Sequence, residues 1–225
     1  MRDFTLTSEA HTAGHPDKLC DQISDALVDA HLAADPPAGC IAECALAAGV
    51  AFLSVRAGHE LPVDAAALAR RVMGEAGYGA DPGHGQPTVM LETLVDPALT
   101  TPRAPAHRTS RRMATVFGYA CDHTPDMMPL PVWAAHRIAA AIDAERRAGP
   151  LGALSPDAQA QVAVVFAGRV PVRLSHVAVT VSGVPEAQAE ALKERVVAAA
   201  VRPALSDAPV PLDEATHVGV RTERT

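Results

Sequence analysis

The stretch A-G-H-P-D-K-L-C-D-Q-I-S-D-A-L at residues 13–27 decides how the chain begins to fold, because it marks the start of an amphipathic helix. Pro16 suits the first helical position, where its missing N–H costs no hydrogen bond. The apolar side chains that then recur at helical spacing are Leu19, Ile23, Ala26, Leu27 and Ala30. This pattern predicts a helix at 16–33 with one face in the core.

Three polar residues surround the predicted helix start: His15, Asp17 and Lys18. An imidazole, a carboxylate and an ammonium group at the end where backbone N–H groups are unpaired could meet a phosphate chain and its metal ion. The alternative is a capped helix whose first-turn Asp17 complements the helix dipole. The residues alone leave both interpretations open.

A resemblance to a known family favours the first interpretation. S-E at 8–9 followed by G-H-P-D-K-L-C-D-Q-I-S-D-A at 14–26 resembles the opening signature of methionine adenosyltransferase, also called S-adenosylmethionine synthetase. Further matches follow in the family's order: Glu43 before Gly49, F-G-Y-A at 117–120, M-P-L-P at 128–131, A-H-R at 135–137 and S-P-D-A-Q-A-Q-V at 155–162. Such motifs stay hypotheses about chemistry until their structural context is known.

The predicted elements alternate between helices and strands, with hairpins between the helices. We predict helices at 16–33, 63–76, 131–147 and 185–201, and strands near 40–46, 50–57, 87–94, 115–121, 160–167, 170–174 and 176–182. This order indicates an α+β fold rather than a purely parallel sheet. The resemblance implies two similar two-layer domains with mixed or antiparallel sheets and helices on one face.

The expected domain organisation is an N-terminal domain at 1–100, an Arg-rich gate-like loop at 101–114 and a central domain at 115–225. Members of the family are longer and have a third domain, whose glycine-rich phosphate segments do not occur in this sequence. The resemblance fades after Pro203. We therefore expect a chain that lacks the family's C-terminal third.

The resemblance also implies roles for individual residues. His15 would lie near the triphosphate and Lys18 beside the phosphates, which makes these two the catalytic candidates. Asp17 would bind Mg²⁺, Glu43 would bind K⁺, and Asp157 would contact ATP. The structural alternative is a polar residue at the end of a helix or strand and, for Glu43, an ordinary solvent-facing strand residue.

Two departures from the family's pattern bear on the substrates. Arg56 stands where the family has a glutamate that recognises the methionine amino group, so attraction becomes repulsion. Gln159 stands at another ATP-contacting position, where the family has a lysine. An amide there supplies hydrogen bonds but no formal charge, and lost electrostatic stabilisation raises a barrier by several kcal/mol.

The loop before Cys121 is rich in arginine and proline, with no acidic residue between Asp96 and Asp122. Its arginines are Arg103, Arg108, Arg111 and Arg112. By resemblance this segment is a gate over the active site, and Arg112 replaces the gate's aspartate. Arg108, Arg111 and Arg112 are ATP-binding candidates, because guanidinium groups clamp phosphate oxygens in pairs of hydrogen bonds. The alternative is a solvated basic loop.

Composition narrows the class of protein. The net charge of −7 and a pI near 5.8 argue against nonspecific binding of nucleic acid or of a membrane surface. No signal-peptide pattern or apolar run of membrane length is found, so we expect a cytoplasmic protein. Four cysteines fit neither zinc spacing nor a disulfide framework, and we expect buried thiols.

The sequence thus predicts a methionine adenosyltransferase-like, ATP- and Mg-binding subunit, weak or inactive as an isolated chain. A partner chain would be needed to transfer adenosyl from ATP to methionine or a related thioether, and a homo- or hetero-oligomer would form through the sheet face. Two alternatives stay open. One is a noncatalytic homologue that pairs with a full-length enzyme, and the other is a divergent nucleotide-using enzyme with another acceptor.

Overall fold

The computed structural model describes residues 3–34, 39–79, 88–100, 113–184 and 188–223. Its elements in chain order are β1 (Phe4–His11), α1 (Pro16–Ala34), β2 (Cys40–Ala47), β3 (Val50–Ala57), α2 (Ala65–Ala76), β4 (Thr88–Val95), α3 (Leu130–Ala148), β5 (Ala158–Ala167), β6 (Val170–Ser182), α4 (Ala189–Val196), α5 (Arg202–Ala204) and β7 (His217–Glu223). They form two units. The inserted unit is Pro16–Phe117, and the split unit combines the chain before it with the chain from Gly118 onward.

The inserted unit packs α1 and α2 on a three-stranded sheet of order β2-β3-β4. β2 and β3 form an antiparallel hairpin, and β4 lies parallel to β3 after the crossover through α2. The hairpin turns at Ala48 and Gly49, both with positive φ, which is the conformation that matches the twist of two-residue hairpins. Leu53 and Val55 of β3 face the helices and are almost fully buried.

The split unit packs α3 and α4 on a four-stranded sheet of order β1-β5-β6-β7. β1, β5 and β6 are antiparallel neighbours, and β7 lies parallel to β6 after the crossover through α4. Ile138 and Ile142 of α3 are buried against Val162 and Val164 of β5. A hydrogen bond of 2.7 Å from Trp133 Nε1 to Asp126 Oδ2 fixes the start of α3.

The two units share one plan. Each contains a helix, an antiparallel hairpin, a second helix and a strand parallel to the hairpin's second strand, in that order. The split unit adds β1, which pairs with the free edge of its hairpin. The predicted α+β fold with two similar two-layer domains is confirmed, and the α-β-β-α-β repeat is its basis.

Most predicted elements lie within two residues of their observed bounds, but some predictions were wrong. Residues 115–121 form no strand, and their side chains are largely exposed, with Phe117 at 91%. The strands predicted at 170–174 and 176–182 are one strand with irregular register. The helix predicted at 185–201 gives way after Val196 to a π-helical stretch, Val197–Val201. The sequence analysis also missed β1 and β7.

All four cysteines are free thiols, but they are only partly buried, so the predicted full burial of the thiols was wrong. Burial and the neighbouring Cys20 thiol raise the pKa of Cys44 to about 12. In the described part of the chain, no helix has the length and apolar character needed to span a membrane. The domain limits given above from sequence stay a prediction, and the loop at 101–112 lies outside the described residues.

Candidate functional site

The end of β1 is fastened to the start of β5 by a buried threonine. Thr12 Oγ1 donates a hydrogen bond of 2.6 Å to the Pro156 carbonyl and accepts one of 2.9 Å from the Ala158 N–H. Its own N–H donates to the Ala158 carbonyl, and its carbonyl accepts from the His15 N–H at 3.2 Å. These bonds close the turn that presents His15.

Gly14 completes this turn because no larger residue fits. A Cβ at position 14 would lie 2.3 Å from Pro156 Cβ and 2.6 Å from the Pro156 carbonyl carbon. The absence of a side chain lets the two backbone segments touch. His15 and Asp157, which flank this contact in sequence, are thereby held in fixed places in the split unit.

Four ionisable side chains interact electrostatically beside this turn, and we call them the polar corner: His11, His15, Asp157 and Glu223. The imidazole centroids of His11 and His15 lie 4.0 Å apart, and the ring planes are tilted by 47°. Burial raises the pKa of Asp157, the charges of His15 and His11 lower it, and Glu223 raises it, with a net upward shift. The structure therefore brings His15 and Asp157 into one electrostatic environment.

Gln159 lies next to the polar corner, but its side-chain amide already forms a hydrogen bond with another side chain. Its Nε2 donates a hydrogen bond of 2.7 Å to Glu9 Oε2 across the β1–β5 pair. Its backbone partner in that pair is His11. The predicted ATP contact at Gln159 would require the amide to exchange Glu9 for the ligand.

Asp17 and Lys18 lie in the first turn of α1, in the inserted unit, and both are exposed. The helix begins at Pro16 as predicted. Among the described residues, no three or more His, Cys, Asp or Glu side chains are arranged to hold a metal ion. Mg²⁺ usually binds one or two carboxylates and completes its shell with water and substrate phosphates, so Asp17 fits as a single carboxylate ligand.

Glu43 lies on the outer face of the inserted unit's sheet, the face turned away from its helices. It stands opposite Ser54 of β3, which in turn stands opposite Glu92 of β4. These side chains line a cavity of about 360 Å³ together with Ile41, Val55, Arg56 and Leu94. Two carboxylates and a hydroxyl are oxygen ligands of the kind that hard cations prefer, so the donor set fits a potassium ion at Glu43.

Arg56 lies in the same cavity and brings a positive charge to it. Its Nε lies 3.8 Å from Asp96 Oδ2, with the Arg56 side chain 49% exposed. An ion pair this exposed contributes little to stability. The pair instead orients the Arg56 side chain, because Asp96 attracts its guanidinium toward the C-terminal end of β4.

The outer face around Glu43 also carries large apolar side chains. Ile41, Phe52, Met90 and Leu94 are 39–59% exposed and lie on this one face. A second cavity of about 740 Å³ opens over Phe52 and Met90. We call these four side chains the apolar face.

The sequence-predicted residues are thus distributed over both units. His15 and Asp157 meet in the polar corner, Glu43 and Arg56 line one cavity, and Asp17 and Lys18 share a helical turn. Arg108, Arg111 and Arg112 lie outside the described residues. Sequence reasoning missed His11 and Glu223, although the alternation of Glu9 and His11 with the buried Ala10 could have placed His11 on the polar side of a strand.

Two α-β-β-α-β repeats and a polar corner at a strand end define a two-layer α+β protein with a candidate anion site. The N-terminal domain model of S-adenosylmethionine synthetase matches residues 3–96, and the central domain model matches residues 108–223. The chain therefore belongs to the S-adenosylmethionine synthetase family.

Individual relatives agree with the family models. The S-adenosylmethionine synthase of Prochlorococcus marinus (strain MIT 9313) is 34% identical over 240 residues, which cover 96% of this chain and 57% of the relative. The S-adenosylmethionine synthase of Thermus thermophilus is 35% identical over 223 residues, covering 91% of this chain and 56% of the relative. The chain thus spans a little more than half the length of these relatives.

Proposed function

We propose that the chain is a methionine adenosyltransferase-like, ATP- and magnesium-binding subunit that needs a partner chain to transfer adenosyl from ATP to methionine or a related thioether. The observation that carries this proposal is the polar corner, in which His15 and Asp157 share one electrostatic environment. Both residues match family positions that contact the nucleotide. Their convergence supports a nucleotide site rather than two unrelated strand ends.

The reaction itself would be a direct displacement. The acceptor sulfur would attack C5′ of ATP, and the C5′–O bond would break as triphosphate leaves. Such a reaction needs no protein nucleophile, so this chain's part is to position the nucleotide and to stabilise the charge that develops on the phosphate oxygens. His15 would donate a hydrogen bond to these oxygens, and Lys18 would supply a positive charge.

The cations would take the oxygen ligands described above. Asp17 would hold Mg²⁺, and a bound Mg²⁺ neutralises part of the phosphate charge. Glu43 would hold K⁺, with Ser54 and Glu92 beside it in the sheet. Neither ligand set surrounds its ion, which suits ions that share their coordination with substrate and water.

The partner chain would cover the apolar face. Ile41, Phe52, Met90 and Leu94 form an exposed apolar surface around Glu43, and surfaces of this kind mark protein–protein interfaces. A partner seated there would exclude water from the cavity that Glu43 and Arg56 line. The partner is a second copy of this chain or a related subunit.

The test is binding of ATP with Mg²⁺, measured by isothermal titration calorimetry for the chain alone and with any chain encoded beside it. We expect saturable binding that weakens by about tenfold in His15→Asn, because a hydrogen bond to a charged oxygen is lost. The matched control is His136→Asn, at an exposed position of α3, which should bind as the unaltered protein does. No measurable nucleotide affinity in either setting would remove the proposal.

Arg56 favours a second candidate, a nucleotide-using enzyme with a different acceptor. Its positive charge would repel the amino group of methionine but would attract an acceptor that carries an extra carboxylate. Mass spectrometry of products formed from ATP with methionine and with carboxylate-bearing thioethers separates the two candidates. Adenosyl transfer to methionine alone would eliminate the second one.

A further inference from the structure

One row of side chains crosses all four strands of the split unit's sheet on the face away from its helices. His11 of β1 stands opposite Gln159 of β5, Gln159 opposite Thr180 of β6, and Thr180 opposite Arg221 of β7. Their neighbours on the other face of β1, β5 and β6 are buried, which fixes the row on the polar side; these neighbours are Ala10, Ala160 and Val179. His11, a member of the polar corner, is thus the ionisable residue at the row's β1 end.

His11 is also held close to a residue of the proposed nucleotide site. Its ring centroid lies 4.0 Å from that of His15, and both imidazoles act on the charge of Asp157. Gln159, the strand partner of His11, directs its amide to Glu9 at 2.7 Å. The Gln159 amide is therefore engaged with Glu9, next to the two imidazoles.

The charges around His11 make anion binding depend on protonation. The ionisable groups nearest His11 are Glu9 on its own strand, His15 on the turn after that strand and Asp157 before β5. Glu223 of β7 acts on Asp157, and Arg221 lies at the far end of the row, three strands away. With His11 neutral, the carboxylates of Glu9, Asp157 and Glu223 give the corner a negative charge that repels phosphate. Protonation of His11 offsets part of this charge and favours an anion.

We propose that His11 is a second phosphate-binding imidazole, which works beside His15 and makes polyphosphate binding stronger as the pH falls through the range in which imidazole protonates. The proposal rests on the proposed function, because it assumes that the polar corner holds the phosphate chain of a nucleotide. It adds a binding residue and a pH dependence that the family resemblance did not assign. Its ligand class is an inorganic or nucleoside polyphosphate.

The probe is inorganic tripolyphosphate with Mg²⁺, titrated by calorimetry into the full chain at several pH values between 6 and 8, around the ordinary imidazole pKa of about 6.5. Three variants are compared: His11→Asn, which removes the charge; His11→Arg, which makes it permanent; and His176→Asn as the matched control. His176 lies on the same sheet, paired with His217 at 5.5 Å rather than with the polar corner. Because all variants share the ligand, changes in the protonation of tripolyphosphate cancel in the comparison.

We expect the unaltered protein to gain about tenfold more affinity than His11→Asn between pH 8 and pH 6, as a charge-assisted hydrogen bond forms. His11→Arg should bind tightly at pH 8 and lose this dependence, and His176→Asn should match the unaltered protein. Equal pH dependence in the protein and in both His11 variants would overturn the inference while leaving the proposed function in place. If the unaltered protein binds neither tripolyphosphate nor ATP, the proposed function fails, and the inference fails with it.

Thermal unfolding of each variant separates binding from folding. His11 is partly exposed near the end of an edge strand, so the variants should keep their unfolding temperature within a few degrees of the unaltered protein. If His11→Asn unfolds at a clearly lower temperature than the unaltered protein, the affinity of His11→Arg decides whether His11 binds phosphate. Loss of affinity at pH 8 in a folded His11→Arg would contradict the proposed role.

Discussion

The two units use the same α-β-β-α-β plan but present different surfaces on the outer faces of their sheets. In the inserted unit, β2 forms the edge of the described sheet, and the outer face exposes four large apolar side chains around the polar group at Glu43. In the split unit, β1 pairs with the corresponding edge and brings Glu9 and His11 to a polar face. The two units therefore differ by one added strand, β1. The unit without it has a surface suited to contact with another chain, and the unit with it has a surface suited to a charged ligand.

The largest expected change in stability tests which face of the inserted unit's sheet packs in its core. Leu53 is 3% exposed and faces the helices, whereas its neighbour Phe52 is 45% exposed on the apolar face. Leu53→Ala should lower the free energy of unfolding by about 2–5 kcal/mol. Phe52→Ala should cost less than about 1 kcal/mol in the isolated chain and weaken association with a partner. Chemical denaturation and sedimentation measure the two effects, and equal stability losses would refute the assignment of the faces.

The next largest effect tests the joint that fixes β1 in the split unit. Gly14→Ala would place a Cβ 2.3 Å from Pro156 Cβ, and such overpacking costs about 1–3 kcal/mol. Nucleotide affinity should fall with it, because His15 moves. Gly74→Ala is the matched control, since its added Cβ meets nothing within 4 Å in α2 and should stabilise the helix slightly. Similar unfolding temperatures for the two variants would contradict the tight contact at Gly14.

A smaller effect on stability, with a larger one on binding, is expected at Arg56. Arg56→Gln removes an exposed ion pair with Asp96 and should change the free energy of unfolding by less than about 1 kcal/mol. Arg56→Glu should increase the affinity for methionine in the presence of a nucleotide, because the repulsion of the amino group becomes attraction. Calorimetric titration of both variants with methionine checks this. An unchanged methionine affinity in Arg56→Glu would remove Arg56 from the acceptor site.

The smallest effect concerns pH and the polar corner. The pKa of Asp157 is raised above its ordinary value of 3.8, chiefly by burial, so the folded state binds its proton more tightly than the unfolded state does. The Asp157 contribution to stability is therefore most favourable below 3.8 and declines as the pH rises through the folded-state pKa. Asp157→Asn should lack this decline, so the stability difference between protein and variant should depend on pH in that window. A flat difference would show that Asp157 is not in the environment described.

The sequence predicted those elements whose signal lies within one stretch of chain. The helical spacing of Leu19, Ile23 and Leu27 predicted α1, and these residues are buried as expected. At residues 115–121, by contrast, the apolar residues predicted a strand that does not form. Phe117 and Val116 are exposed in a segment without regular structure, because a strand also needs a neighbour with which to pair.

Parts of the candidate site that depend on distant pairing could not be predicted in the same way. His15 and Asp157 were found from motifs, but their convergence depends on the pairing of β1 with β5. His11 and Glu223 join them only because β1 and β7 lie in the same sheet. No local pattern in the chain specifies which strands become neighbours.

The joint between β1 and β5 also affects how the protein is made. Thr12 and its partner Pro156 are separated by 144 positions along the chain, so β1 leaves the ribosome long before its partner strand exists. The inserted unit, whose contacts are closer in sequence, can complete its fold in the meantime. We therefore expect His11 and His15 to gain Asp157 and Glu223 as neighbours late in synthesis, when the second hairpin emerges and pairs with β1.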